Sequence, residues 1–429
     1  MKMDRYRESK KYLERARKVT PGGAQTLSKM AARFPEGAYP VALMEGRGAR
    51  VTDVDCNEYV DWICGLGAIT LGYNDEHVNA AVHRQVDRGA GFSLPHWLEV
   101  MVAEKLCQAI PCAEMVRFVN SGSEATEAAI RTARIATGKD IILTVGSGYH
   151  SWHSWFQAVK PWHPGVPAEY TSLVRSFSYN DLDSLDKQFS IARDNVAAVI
   201  MEPCLFDEPA DGFLAGVAER CVRNGAMLIF DEVVCGGRWR LGGGQQYFGV
   251  TPDLATFGKG LANGYPIGFL CGKAEWMQHA ELISGTFGGN PVSLAAMNAA
   301  LHVYMMEPVV ERMFQRGSQL QMLFGSLARK HRVPAVCDGY PCKPRIRFTC
   351  STESENVLAM SLFLQETAAG GALFHPGGFN VCAALTDDDM NVTDVAIGRA
   401  LSAVSVALNT GDWSGLVGKT IRPVVTVRQ

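Results

Sequence analysis

The sequence has no large excess of charge of one sign, no long hydrophobic run and no secretory leader pattern. Its 41 lysines and arginines nearly balance its 44 aspartates and glutamates, and the resulting net charge of −3 argues against a nucleic-acid partner. Its apolar runs fall short of the roughly 18 residues that a membrane-spanning helix needs. Residues 1–18 have neither the apolar stretch nor the small-residue cleavage site of a signal peptide. We therefore expect a cytoplasmic protein that binds neither nucleic acid nor membrane.

Paired cysteine motifs are also missing. The 12 cysteines are scattered, and no two of them have C-x-x-C spacing. A disulfide framework is improbable in so long a chain without a leader, and no group of cysteines and histidines has the spacing of zinc ligands. We expect most of the cysteines to be small buried residues, and we predict no metal site.

The chain is long enough for one large or two unequal domains, because it has 429 residues, of which 47% are hydrophobic. Between residues 105 and 272, β-rich segments alternate with helical patterns, which is typical of a mostly parallel sheet wrapped by helices. The predicted strands are 115–119, 140–145, 196–201, 226–231 and 268–272, with a further apolar segment at 254–257 and helices at 123–136 and 213–224. We predict an α/β fold in which residues 61–307 form a large domain. Residues 1–60 and 308–429 form a smaller α+β domain from both chain ends, with short strands near 42–45, 50–54, 345–349 and 372–375 and a final helix near 392–408.

Candidate functional residues stand where predicted strands end, which is where open α/β sheets bind their ligands. The segment NSGSEA at 120–125 opens a helix, so its backbone N–H groups favour an anion such as phosphate, although an ordinary N-cap has the same pattern. Asp231 ends another strand and could pair with a protonated ring nitrogen or a metal, or cap a turn. Lys259 stands between two glycines. It is either a nucleophile toward aldehydes, with a pKa lowered by desolvation, or a surface turn lysine.

Two residues in the segment that follows the strand at 140–145, namely Tyr149 and His150, suit a planar ligand. The common nucleotide-binding motifs are absent from the sequence. Tyr149 offers an aromatic face, and His150 is a ligand, a base or a locally satisfied histidine. A P-loop needs glycine and then serine or threonine where this chain has Asp253 and Gly260. No GxGxxG fingerprint follows a predicted strand.

The order of these features resembles the class III aminotransferases, which are pyridoxal-phosphate enzymes of fold type I. The segments NSGSEA, IFDEV, TPDLATFGKGLANGYPIG and GTFGGNP carry the resemblance, and the separation of Asp231 and Lys259 (259 − 231 = 28) suits that family. The branch that looks most similar is that of the glutamate-1-semialdehyde 2,1-aminomutases, through PGGAQTLSK, GARVTDVDCNEYVDW, TLGYNDEHV and IFDEVVCGGR.

The resemblance implies pyridoxal 5'-phosphate as the cofactor, Lys259 as the Schiff-base lysine that also moves a proton, and Asp231 as the partner of the ring nitrogen. It further implies that Ser121, Gly122 and Ser123 bind the cofactor phosphate and that Tyr149 and Val233 sandwich the ring. Glu202 would orient polar groups beside the ring, and His150 would be a further cofactor contact. Thr286 would reach the phosphate in the neighbouring subunit, so the resemblance implies a homodimer with sites at the interface.

The substrate side departs from the aminomutase pattern. An arginine ends the corresponding aminomutase segment and grips the substrate carboxylate, whereas GGAQTLSK offers Thr26 and Lys29, and lysine lacks the planar fork of arginine. Leu66 stands where the aminomutases carry a tryptophan. We therefore predict an aminotransferase that moves an amino group from a donor to an aldehyde or ketone by a ping-pong Schiff-base mechanism. Glutamate-1-semialdehyde 2,1-aminomutase activity, and racemisation or decarboxylation of an amino acid, are the alternatives.

Two further features have two interpretations each. The residues after Leu408 extend past the family pattern, and the VVTV run near the end forms either a strand on the smaller domain or part of a lid near the site. Arg345 and Arg347 either recognise a substrate carboxylate or are exposed strand arginines.

Overall fold

The computed structural model describes residues 4–160, 163–204 and 206–422. The chain divides into two compact units. We call the first the terminal unit, because it consists of the described residues up to Asp75 and those from Glu311 onward. The second, the central unit, runs from Glu76 to Val310. The sequence analysis placed the breaks after residues 60 and 307, and the division of function between the segments stays a prediction.

The chain begins in the terminal unit with a helix and a small antiparallel sheet. These elements are α1 (Arg7–Val19), β1 (Leu43–Arg47), β2 (Arg50–Asp53), β3 (Glu58–Asp61) and the short α2 (Cys64–Gly67). α1 forms because Ser9, Leu13 and Ala16 lie three or four residues apart and are buried on one face. Single 3₁₀ turns at Pro21–Gly23, Leu27–Lys29 and Ala31–Arg33 connect α1 to the sheet.

The central unit alternates helices and strands, as the sequence predicted. Its elements are α3 (Glu76–Arg88), α4 (Trp97–Ala109), β4 (Met115–Val119), α5 (Gly122–Thr137), β5 (Ile141–Val145), α6 (Ser154–Gln157), α7 (Tyr170–Leu173), β6 (Val174–Phe177), α8 (Leu182–Ala192), β7 (Val196–Met201), α9 (Phe213–Arg223), β8 (Met227–Asp231), α10 (Gly244–Phe248), β9 (Leu254–Phe257), β10 (Gly268–Gly272), α11 (Ala274–Met277) and α12 (Pro291–Met306). Short 3₁₀ turns lie at Lys259–Ala262 and Gln278–Ala280.

The seven strands of the central unit form one sheet in the order β4-β10-β9-β8-β7-β5-β6. The five strands from β9 to β6 pair in parallel. β10 runs antiparallel to both of its neighbours, β4 and β9. The predicted α/β architecture with a mostly parallel sheet is therefore confirmed.

Helix α5 packs against the middle of this sheet through small side chains. Ala128, Ala129 and Ala133 of α5 share a buried cluster with Ile142 of β5 and Ala198 of β7. A second cluster, with side chains from α8 and α9, covers the opposite face of the sheet, as expected because side chains alternate along a strand. Because alanine side chains are short, the start of α5 can approach the ends of the central strands closely.

The chain returns to the terminal unit with α13 (Val309–His331), β11 (Ala335–Tyr340), β12 (Lys343–Phe348), α14 (Glu353–Ala369), β13 (Ala372–Leu373) and α15 (Asp387–Thr410). β11 and β12 form an antiparallel hairpin, and β13 adds in parallel to β3, so both ends of the chain contribute to one sheet. Arg345 and Arg347 both bind the carboxylate of Asp338 across the hairpin.

The described part of the tail after α15 packs on the terminal unit without forming a strand. The buried side-chain oxygen of Gln365 in α14 accepts hydrogen bonds from the N–H groups of Val417 (2.9 Å) and Gly418 (3.0 Å). The VVTV run at 424–427 lies outside the described residues, so its two interpretations stay predictions.

Within the described residues, α15 is long and apolar enough to cross a membrane by length and composition. It begins with three aspartates, packs against α14 and buries Ile397, Leu401 and Val404. These are features of a core helix in a globular unit.

Candidate active site

Two neighbouring strands end side by side and present the two residues that the resemblance marks as catalytic. β8 ends at Asp231, which pairs with Thr256 of the parallel strand β9. β9 ends at Phe257, and Gly258 and Lys259 follow directly. Because both strands run in the same direction, Asp231 and Lys259 lie at the same carboxyl edge of the sheet.

Asp231 is buried and surrounded by hydrogen-bond donors. Its Oδ2 lies 2.7 Å from Nδ1 of His150, and its Oδ1 accepts from the N–H of Val233 (3.1 Å) and the hydroxyl of Thr256 (3.4 Å). Asp231 is 3% exposed and His150 is 4% exposed. A carboxylate held in this way has one orientation and little contact with water, which suits an ion pair with a cationic group of a ligand.

His150 and Tyr149 belong to the loop after β5. Phe156 of α6 meets both rings edge-on, with centroid distances of 5.0 Å to His150 and 6.0 Å to Tyr149. The hydroxyl of Thr126 in α5 donates to the carbonyl oxygen of His150 (3.1 Å). Nε2 of His150 is buried and has no hydrogen-bond partner among the described residues, whereas Tyr149 is 62% exposed. The loop therefore offers an open aromatic face and an unsatisfied ring nitrogen.

The first turn of α5 has the features of an anion site. Ser121 is the N-cap, and its Oγ accepts from the N–H of Glu124 (3.2 Å). The next N–H groups, at Gly122 and Ser123, have no acceptor within the helix because the first turn of any helix lacks one. The helix dipole adds partial positive charge at this end.

Glycines allow three loops to converge at this helix start. A Cβ on Gly122 would lie 2.7 Å from Cγ1 of Val233, in the loop after β8. A Cβ on Gly258, just before Lys259, would lie 3.6 Å from the backbone nitrogen of Gly122. The start of α5, the loop after Asp231 and the loop that carries Lys259 therefore approach one another closely, and a side chain at residue 122 would not fit between them.

Lys259 is half-buried and has a strained backbone. Its φ of 45° lies in the left-handed region, which costs a residue with a Cβ about 1 to 2 kcal/mol. Glycine would adopt this conformation without that cost. A lysine held there is typical of a functional residue, since backbone strain concentrates at functional sites.

Two further carboxylates lie at the strand ends. Glu202 directly follows β7 and is buried. Glu232, next to Asp231, is fully buried and accepts hydrogen bonds from the N–H groups of Gly244 (2.7 Å) and Gln245 (2.8 Å). Burial raises the pKa of Glu232 to about 7, although these hydrogen bonds oppose the shift.

Thr286 is exposed, in the segment between α11 and α12. The neighbouring Gly288 and Gly289 lie against Phe118 of β4 and Glu99 of α4, and these residues line an open cavity of about 600 Å³. The role of Thr286 toward a neighbouring subunit stays a prediction.

The three predicted substrate residues belong to the terminal unit. Thr26 and Lys29 are exposed, and the positive charge of Lys29 acts on the buried carboxyl of Asp61. Burial raises the pKa of Asp61, against a hydrogen bond from the hydroxyl of Tyr73 (2.6 Å). Asp61 also accepts from the N–H groups at the start of α2, in which Leu66 is half-buried with a φ of 61°. The charge of Lys29 therefore acts on the same carboxyl that accepts from the start of the short helix carrying Leu66.

Similar sequences are known. A family model described as Aminotransferase class-III matches residues 33–338. The 3-aminobutyryl-CoA aminotransferase of Cloacimonas acidaminovorans (strain Evry) is 34% identical over 407 residues, which are 92% of this chain and 97% of that protein. The glutamate-1-semialdehyde 2,1-aminomutase of Syntrophomonas wolfei subsp. wolfei is 33% identical over 420 residues, which are 91% of this chain and 97% of that protein.

Solved structures with the same fold are also known. The PLP internal aldimine form of the FumI protein of Sphingopyxis sp. MTA144 superimposes with a TM-score of 0.87 at 28% identity, over 94% of this chain and 97% of that one. The omega-transaminase of Sphaerobacter thermophilus superimposes with a TM-score of 0.85 at 26% identity, over 93% and 99%.

The fold and these relatives define a pyridoxal-phosphate-dependent enzyme of fold type I. The chain belongs to the class III aminotransferase family, in its glutamate-1-semialdehyde 2,1-aminomutase-like branch. Its reaction is therefore pyridoxal-phosphate-dependent amino transfer, and the predicted family, fold class, cofactor and reaction class are confirmed. The site fits this cofactor, because the first turn of α5 offers N–H groups to a phosphate and the buried Asp231 suits a protonated ring nitrogen. In addition, the buried Nε2 of His150 has no hydrogen-bond partner among the described residues.

Several residues of the site escaped the sequence analysis. Thr126 and Thr256 are buried and support His150 and Asp231, and Phe156 packs on His150. Thr256 carries a signal, because it is the one polar side chain in a four-residue buried strand. Thr126 and Phe156 carry none, because nothing in the sequence places them beside residue 150.

Proposed function

We propose that the protein is an aminotransferase that takes an amino group from an external donor and delivers it to an aldehyde or ketone in a second half-reaction. The observation that carries this proposal lies in the terminal unit. Lys29, whose charge acts on the buried Asp61, and Leu66, on the short helix whose start donates to Asp61, stand at positions that are arginine and tryptophan in the aminomutase pattern. A lysine grips a carboxylate less specifically than the bidentate fork of an arginine. This supports an acceptor other than glutamate 1-semialdehyde.

The bound cofactor supplies an electron sink at the substrate carbon, and we assign the residues around Asp231 to its ring. Asp231 keeps the ring nitrogen protonated, and His150 orients Asp231 while contacting the cofactor itself. The burial of both side chains and the 2.7 Å contact between them support this role. Val233 and Tyr149 take the two faces of the ring.

The remaining cofactor contacts follow from the helix start and the strand ends. Ser121, Gly122 and Ser123 hold the phosphate, supported by their place in the first turn of α5. Lys259 holds the cofactor covalently and moves a proton at the substrate carbon, supported by its strained place at the edge of the sheet. Glu202 orients polar groups beside the ring.

We also propose that the enzyme is a cytoplasmic homodimer, with Thr286 contacting the phosphate in the partner subunit. Support comes from a cluster of exposed large apolar side chains on α4, on the loop before it and on the segment that carries Thr286. These are Phe92, Leu94, Trp97, Val100 and Phe287. Exposed apolar groups in such a number are typical of a surface that associates with another protein.

The decisive experiment offers glutamate 1-semialdehyde alone to the enzyme loaded with the amino form of the cofactor, and follows 5-aminolevulinate over many turnovers. The proposal predicts no sustained 5-aminolevulinate, whereas an amino donor supplied with an aldehyde or ketone acceptor gives one aminated product for each donor consumed. Sustained formation from the semialdehyde alone would instead establish the aminomutase.

A Lys29→Arg variant is the matched control, because it introduces the carboxylate-binding guanidinium that the aminomutase pattern has at this position and leaves the central unit unchanged. Release of carbon dioxide, or inversion of an amino acid without loss of its nitrogen, would replace amino transfer by the decarboxylase or racemase alternative.

A further inference from the structure

Lys160 makes a set of contacts that the assignments above do not use. It follows α6, and its Nζ donates to the carbonyl oxygens of Gly148 (2.6 Å) and Gly146 (3.2 Å). The same Nζ lies 4.6 Å from the centroid of the Phe156 ring, over its face. One ammonium group therefore joins the loop after β5 to the aromatic residue of α6 by two charge-assisted hydrogen bonds and a cation–π contact.

Both groups that Lys160 holds adjoin the proposed cofactor site. Gly148 directly precedes Tyr149 and His150 in the chain. Phe156 meets the rings of these two residues edge-on. A movement of residue 148 or of the Phe156 ring would shift His150, whose Nδ1 lies 2.7 Å from Asp231.

The position of Lys160 is costly for a cation. Burial lowers the pKa of Lys160, and the negative charge of Glu202 opposes that shift. A partly desolvated ammonium needs acceptors to offset the loss of water, and here the carbonyl oxygens and the aromatic face supply them. Lysines are otherwise mostly exposed, so its retention between these groups indicates a specific role in this loop.

We propose that Lys160 is a positioning residue that fixes residues 146–150, and through them the aromatic face of Tyr149 and the contact of His150 with Asp231. This inference rests on the proposed roles of those three residues. Lys160 does not touch the reacting atoms; it determines how rigidly the ring-binding side chains are presented.

The test compares Lys160→Met with Lys139→Met. Lys139 is a matched control in the same unit, because its Nζ also donates to two carbonyl oxygens, those of Asn224 (2.8 Å) and Gly225 (3.0 Å). Within the described part of the chain, its hydrogen bonds do not involve the loop at 146–150. Apo protein is titrated with pyridoxal phosphate by tryptophan fluorescence, and the induced circular dichroism of the bound cofactor is recorded. The melting temperature of each apo protein is measured in parallel.

We expect Lys160→Met to bind pyridoxal phosphate about tenfold more weakly, the equivalent of about 1.4 kcal/mol. The induced circular dichroism should also weaken, because a more mobile Tyr149 holds the cofactor ring in a less defined orientation. Lys139→Met should bind as wild type does. Lys160→Arg should recover most of the affinity, since arginine keeps the charge, the donors and the aromatic contact. If the methionine variant does not fold, Lys160→Gln, which keeps an N–H donor without the charge, takes its place in the comparison with wild type and Lys139→Met.

The inference is overturned if wild type and Lys160→Met bind the cofactor equally and with equal circular dichroism, even if the variant melts at a lower temperature. It is also overturned if Lys139→Met loses as much affinity as Lys160→Met. Failure of the proposed ring contacts is distinguishable, because a Tyr149→Ala or His150→Ala variant would then bind the cofactor as tightly as wild type.

Discussion

Glu232 makes the stability of this enzyme depend on pH in a way that can be calculated from the structure. Its carboxyl is fully buried beside Asp231, and burial raises its pKa from the ordinary 4.5 to about 7. The protonated form is therefore favoured in the folded protein relative to the unfolded chain. The stability that Glu232 contributes is fully present below about pH 4.5 and is lost as the pH rises toward 7.

The size of the effect follows from the shift, since one pKa unit corresponds to about 1.4 kcal/mol. A shift from 4.5 to about 7 therefore amounts to about 3 kcal/mol, of which roughly 2 to 3 kcal/mol fall between pH 5 and pH 8. In Glu232→Gln this proton-linked loss disappears. The free energy of unfolding of wild type relative to the variant should fall by that amount across this range.

The assay is urea unfolding of the apo proteins at pH 5, 6, 7 and 8. Glu114→Gln is the matched control, because Glu114 is an exposed carboxylate that also accepts one backbone N–H, from Ala274 (2.8 Å). Its curve should stay parallel to that of wild type. Parallel curves for wild type and Glu232→Gln would refute the reasoning, because they would mean that the buried carboxyl titrates as it does in the unfolded chain.

Two further predictions concern strain and the tail. Lys259→Gly should be more stable than Lys259→Ala by about 1 kcal/mol in chemical unfolding. Both variants lack the lysine side chain, and of the two new residues glycine alone adopts a φ of 45° without strain. Equal stability of the two variants would show that this conformation is unstrained. Gln365→Ala should speed hydrogen exchange at the N–H groups of Val417 and Gly418, because they lose their acceptor. The control Gln321→Ala, which removes a donor to the carbonyl of Gly339, should leave the exchange at Val417 and Gly418 unchanged. Unchanged exchange in Gln365→Ala would mean that the tail is held by other contacts.

Much of the central sheet is predictable from local sequence. The strands at Met115–Val119, Val196–Met201 and Gly268–Gly272 lie at the predicted residues, because each is a short β-rich run. The direction of β10 was not predicted, since a five-residue apolar run carries no information about which way it crosses the sheet. β6 (Val174–Phe177) and β3 (Glu58–Asp61) escaped prediction because their sequences, VRSF and EYVD, mix charged or polar residues with apolar ones and so contain no apolar run.

The site was predictable where a residue with a reactive or charged side chain stands at the end of a predicted strand. Asp231 and Lys259 were found because Asp231 ends one buried strand and Lys259 closely follows another, and the parallel sheet brings such positions to one edge. The contacts that support them join distant residues, as in the pairs Thr126 with His150 and Lys160 with Gly148. Nothing in the residue types alone specifies such pairs, because they depend on where the loop after β5 passes α5 and α6.

The most direct test of the account is the visible absorbance spectrum of the purified enzyme during titration with single amino acids. Wild type and Lys273→Ala, which removes a lysine that also follows a strand of the same sheet, should show a visible band that one particular amino donor bleaches and a keto or aldehyde acceptor restores. Lys259→Ala should lack the lysine-dependent band. The account would be contradicted if wild type shows no band after incubation with pyridoxal phosphate, or if Lys259→Ala shows the same band and the same bleaching as wild type.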